Sequence, residues 1–96
     1  MIQFESDRML VTGPLTLETA REAFLTGISA GGSVSIVDLA GVTNVDSSAL
    51  GVLMQWSRQH AGTLDFINIP ESLRSLADLY DVSTMLFTAA TDNPTN

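Results

Sequence analysis

The side chains whose types and spacing could do chemistry gather in one hexapeptide, VDSSAL at Val45–Leu50, where an acid and two hydroxyls stand between apolar runs. Asp46 suits a helix N-cap, because its carboxylate can accept from the first free amides, and Ser47 and Ser48 are acceptable first-turn residues. A second role fits the same residues. At a helix start Ser47 is displayed to a partner or a kinase, and a phosphate there would face free backbone amides while crowding Asp46.

Catalytic readings fail on reach. His60, the sole histidine, follows Ser47 by 13 residues on the same expected helix, which is about 20 Å at the helical rise per residue. A serine nucleophile needs its base within hydrogen-bond distance, so these two cannot pair. One histidine without any cysteine makes no transition-metal ligand set, and His60 reads as a surface residue at a helix end. Without lysine there is no phosphate-binding loop of the GxxxxGK type, and no two carboxylates are spaced as a catalytic dyad. The expectation is a non-enzymatic protein with no catalytic residue, no metal and no cofactor.

Composition narrows the partner. The 96 residues suffice for one domain, and 45% of them are hydrophobic against 16% charged, a globular balance. No apolar run approaches the roughly 20 residues of a membrane-spanning helix. The start, MIQFE, lacks the basic and apolar segments of a secretory signal. Cytoplasm is the expected compartment, and the absence of cysteine fits it. The net charge is -7 and the only cations are Arg8, Arg21, Arg58 and Arg74. Four scattered arginines cannot displace the counterions of a phosphate backbone, so neither nucleic acid nor a bare anionic membrane is the expected partner.

These residues need a frame to hold them. Ile2–Glu5 and Met9–Thr12 around Ser6-Asp7-Arg8 predict a hairpin, ended by Gly13-Pro14. From Thr16, the residues Leu17, Ala20, Ala23, Phe24 and Ile28 recur at helical spacing until Gly31-Gly32. Ser33–Leu39 predicts a central strand with an out-of-place Asp38, and Ala40–Val45 a connection. A second helix is expected over about Ser47–Ala61, closed by Gly62, and a strand over Thr63–Ile69. Pro70-Glu71 opens a third helix with Leu73, Leu76, Ala77 and Tyr80 on one stripe, and Val82–Phe87 forms a last short element. The fold class is therefore α/β: one domain over 1–88 with a mixed sheet of about four strands, an N-terminal hairpin and three or four helices, then a polar tail over 89–96.

The second helix carries a surplus of apolar surface. Leu50, Leu53, Met54, Ser57 and Ala61 form one face, and Ala49, Val52 and Trp56 an adjoining sector beside His60. Together they span about 200 degrees, where a helix lying on a sheet needs about 100. Either Trp56 packs along the rim of its own core, or the sector is a docking hot spot with Ser47 at its end.

The segment VDLAGVTNVDSSALGVLMQW at Val37–Trp56 resembles the signature of the STAS family, small α/β domains found in anti-sigma-factor antagonists, sulfate transporters and bacterial lipid transporters. In the antagonist branch the serine after the aspartate, here Ser47, is phosphorylated by a serine kinase that also acts as anti-sigma factor. The chain departs from that branch at Ala49, where glycine is usual, and at Thr16 in GPLTLETA, where the branch has aspartate. GPLT, the hydroxyl after Asp46, and IPESLRSLADLYDVSTML at Ile69–Leu86 are similar to the MlaB-like branch. That likeness implies a cytoplasmic accessory subunit, peripheral to the inner membrane, which binds and stabilises the MlaF-like ATPase of a phospholipid-transporting ABC complex that maintains outer-membrane lipid asymmetry. Asp46, Ser47, Ser48, Ala49, Val52, Trp56 and Gln59 are then the expected partner-binding residues, helped by the third helix. A kinase acting on Ser47 is the alternative partner, and a nucleotide or lipid at the VDSSAL loop a third reading for which no residue selects a molecule.

Overall fold

A computed structural model describes residues 2–28, 34–60 and 64–87. Strands β1 (Ile2–Glu5), β2 (Arg8–Leu15), β3 (Ile36–Val45) and β4 (Asp65–Ile67) form one sheet in chain order. β1 and β2 are antiparallel, whereas β2, β3 and β4 are mutually parallel. The parallel steps are crossed by helices α1 (Leu17–Ile28) and α2 (Ser47–Gln59), followed by α3 (Glu71–Leu79) and α4 (Ser83–Phe87). Successive right-handed crossovers moving in one direction place their helices on the same sheet face. The burial alternation agrees: Met9, Val11, Val37, Leu39 and Phe66 are buried, and Leu10 and Asp38 between them are not.

Two strands outrun their sequence signals. β2 does not stop at Gly13-Pro14 but continues to Leu15, because the pairing with β3 slips between Gly13 and Leu15 and Pro14 sits in that irregularity, needing no N–H. β3 does not stop at Leu39 either, so the expected connection Ala40–Val45 is strand. Gly41 is the reason both for the misreading and for the pairing. A Cβ there would lie 2.5 Å from Thr12 Cγ2, so only glycine lets β3 approach β2. β4 is shorter than Thr63–Ile69, ending where Asn68 turns to φ 55.

Asp38 is explained by its neighbours. Its carboxylate accepts from Ala40 N–H at 3.0 Å and Asn68 Nδ2 at 3.1 Å, and lies 3.6 Å from Arg8. The hairpin turn at Ser6-Asp7 is tied to the start of β3 by Ser35 N–H and Ile36 N–H, both donating to Asp7 O. The core is closed at its far edge by α4, whose Phe87 meets Phe66 edge-on with ring centroids 6.0 Å apart. Along α3, Leu73 and Ala77 are buried, but Tyr80, expected on that stripe, caps the helix and is exposed. The expected stops at Gly31-Gly32 and Gly62, the end of the second helix at Ala61, the start of the fourth strand at Thr63 and the tail over 89–96 lie outside the described residues.

Candidate functional site

Asp46 stands where β3 hands over to α2, in extended backbone at φ -137 and ψ -172. Oδ1 accepts from Ser48 N–H at 2.9 Å, the expected N-cap bond. Oδ2 accepts from Leu17 N–H at 3.0 Å, the first amide of α1. One carboxylate therefore closes the N-termini of two helices. The bond from Leu17 is the main reason the Asp46 carboxyl is held below its ordinary pKa, with the Ser48 amide adding to it and desolvation opposing. At the base of α1, Thr19 Oγ1 accepts from Thr16 N–H at 3.0 Å, so the helix start is braced on both sides.

Ser47 is exposed on the first turn of α2, and Ser48 is half-buried beside it. Next to them opens a shallow groove of about 430 Å³ between α1 and α2, in which Ala20, Arg21 and Phe24 face Ser48, Gly51 and Gln55. Gly51 is exposed, and a Cβ added to it would meet nothing within 4 Å. A glycine inside an exposed helix costs roughly 0.5–1 kcal/mol relative to alanine, and no contact with the described residues accounts for it.

The other expected site residues are placed differently. Ala49 and Trp56 are 0% exposed and Val52 4%, so the apolar sector is not an open dock but core under α1. The width argument held for a helix lying on a sheet alone; here a neighbouring helix occupies the second sector. Trp56 Nε1 donates to Phe24 O at 3.3 Å, and the indole lies against Gly27, where a Cβ would overlap Nε1 and Cε2. Gln59 is exposed on the last turn, about 18 Å along the helix from Ser47. The structure thus brings Asp46, Ser47 and Ser48 together, and leaves Gln59 apart.

The α1 wall of the groove was missed in the sequence. Leu17, ahead of that wall and not lining the groove, is 75% exposed although it belongs to the expected apolar stripe, and its N–H donates to Asp46. Arg21, one turn later, lines the groove. The usable signal was Gly51, a glycine in the middle of a helix with no turn to explain it.

His60 caps α2 at the end opposite Ser47, so these two side chains do not pair. Among the described residues no three His, Asp or Glu side chains are placed to hold a metal ion, and no helix is long and apolar enough to cross a membrane. What the arrangement offers is a presented hydroxyl at paired helix N-termini, next to a shallow open groove.

A family model described as Mlab, STAS domain, matches residues 1–88. No curated protein sequence matches significantly. Among solved structures, the anti-sigma factor antagonist SpoIIAA in its unphosphorylated form superposes with a TM-score of 0.67 at 14% identity, over 98% of this chain and 87% of that one.

Proposed function

The chain belongs to the STAS domain family, and from that premise we propose that it is a non-catalytic subunit that binds and stabilises the ATPase of a phospholipid-transporting ABC complex. The observation that carries this reading is the open face of Gly51 beside exposed Ser47, a helix surface free of side chain where none of the described residues fills the space. The family description, which names Mlab, supports a partner of this kind. Through that ATPase the chain would sit at the cytoplasmic face of the inner membrane, with Ser47, Ser48 and Gln55 supplying polar contacts and Leu17 and Phe24 apolar ones. Asp46 holds both helix starts in register for docking.

Co-purification with an MlaF-like ATPase tests it. Ser47→Glu or Gly51→Arg should each release the partner while leaving the fold intact; retention of the complex by both variants refutes the reading. Trp56→Ala is unsuitable as a probe because the indole is core.

A second reading rests on the likeness to the SpoIIAA fold together with the exposure of Ser47 directly after Asp46. Under it Ser47 is phosphorylated by a serine kinase that is itself the partner, and the phosphate drives the two apart. A kinase-dependent mass gain mapped to Ser47, with loss of kinase binding afterwards, would favour this reading over the transporter.

A further inference from the structure

Three of the most exposed large apolar side chains fall close together in the chain: Leu79 at 75%, Tyr80 at 54% and Met85 at 65%. Leu79 ends α3, Tyr80 caps it, and Met85 lies in α4, whose Leu86 and Phe87 are buried. The turn between the helices is held by Asp81 N–H donating to Asp78 O at 3.1 Å and Val82 N–H donating to Ala77 O at 2.9 Å, the two bonds of a Schellman ending. Asp81 takes the left-handed position of that motif at φ 60, where glycine is the usual residue. An aspartate there has a side chain on a backbone that disfavours one, and an anion at the negative end of the helix dipole. Local choices that oppose the fold concentrate at surfaces serving another purpose.

We propose that Leu79, Tyr80 and Met85, rimmed by Asp78 and Asp81, dock a basic amphipathic helical segment of a partner protein. Both aspartates are exposed, and Arg74, the single cation of α3, lies over the Phe87 ring at 5.5 Å from its centroid. The rim is therefore acidic, on a chain of net charge -7 with no lysine. A second copy would set these carboxylates against themselves, and an anionic membrane would repel them. A helix with apolar anchors at one-turn spacing and Lys or Arg beside them satisfies both parts of the surface, and tyrosine and methionine are suited to receive it. This face is separate from the Ser47 groove. α3 starts at the carboxyl ends of the strands, as α2 does, and runs away from that end for nine residues, about 13 Å.

The test is titration of the isotope-labelled 96-residue chain with a synthetic Leu/Lys amphipathic helical peptide, read by amide chemical shifts. The expected shifts are confined to residues 77–86. Leu79→Ser with Met85→Ser should weaken binding about tenfold, the scale of a hot-spot loss. Asp78→Asn with Asp81→Asn should weaken it as well and flatten its salt dependence. No binding, shifts spread over the whole acidic surface, or affinity unchanged in both double variants overturns the proposal. So does association of the chain with itself, or with phosphatidylglycerol vesicles, if the Leu79→Ser, Met85→Ser variant abolishes it. Ser47→Glu should leave the peptide's affinity unchanged, which keeps failure here distinct from failure of the ATPase reading.

Discussion

Asp46 and Leu17 lie 29 residues apart in the chain and are joined by one hydrogen bond, Leu17 N–H donating to Asp46 Oδ2 at 3.0 Å. The other oxygen of the same carboxylate caps α2 through Ser48 N–H. The relative placement of α1 and α2 at the mouth of the groove thus passes through one side chain. Two positive helix ends meeting at one anion also explain why Asp46 prefers to stay ionised.

Acid should loosen this clamp. Because the folded-state pKa of Asp46 is depressed from its ordinary value of 3.8, its contribution is fully present above that value and is lost as pH falls through the folded pKa. Asp46→Ala should lower the melting temperature at neutral pH, and the gap to the unaltered chain should close as the pH is taken below about 4. Thermal unfolding of both proteins across pH 2.5–7 reads this directly (a window of roughly one unit or more either side of the carboxylate pKa). A gap that stays constant with pH would mean that the carboxylate charge contributes nothing.

Gly27 and Trp56 are coupled by contact. A methyl group at position 27 overlaps the indole Nε1 and Cε2, so Gly27→Ala forces the ring or α1 to move. The expected loss is about 1–3 kcal/mol of unfolding free energy, against the gain alanine normally brings to a helix. Trp56→Phe removes the overlapping ring, so the double variant should be more stable than the two single losses predict, by about 1 kcal/mol or more. Urea unfolding of the four proteins completes the cycle, and additivity would refute the contact.

The architecture was legible where one periodicity ruled a segment. The hairpin, α1, α2 and α3 carry clear alternation or helical spacing, and the order of elements follows from them. The misreadings occur where one residue serves a long-range contact. Gly41 looks like a turn glycine because its partner, Thr12, is 29 positions earlier in the chain, and nothing local announces that two strands will meet there. Trp56 reads as either core or dock, since the helix that covers it is set by a crossover and not by its own sequence. Asp46 was recognisable as a cap for the helix that follows it, but its second helix is reached only through the fold. Ser47 and Ser48 both follow the capping aspartate, yet only Ser47 is exposed while Ser48 is half-buried, a difference set by the side of α2 that faces α1 and not by the cap.

Asp81 offers a stabilising substitution. Asp81→Gly removes a side chain from the left-handed position and an anion from the C-terminal end of α3, while the two Schellman bonds come from the backbone and remain. Chemical denaturation should show a gain of about 1 kcal/mol. If the variant is destabilised, the aspartate side chain makes a favourable contribution to the turn and the argument for local conflict fails.

Gly51 separates folding from binding most sharply. It lies in the interior of α2, exposed, with open space at the position of a Cβ. Alanine there loses less backbone entropy on folding and meets no obstacle, so Gly51→Ala should stabilise the isolated chain by about 0.5–1 kcal/mol. If the groove receives the ATPase, the same methyl group stands where the partner approaches, and a larger side chain stands there more firmly. Affinity should then fall in the order Gly51, Ala, Arg, while the melting temperature of the free chain does not fall in that order. A calorimetric titration beside a thermal melt measures both quantities on the same three proteins. Parallel losses in stability and affinity would show that the glycine serves the fold, and unchanged affinity in all three would place the partner elsewhere on the molecule.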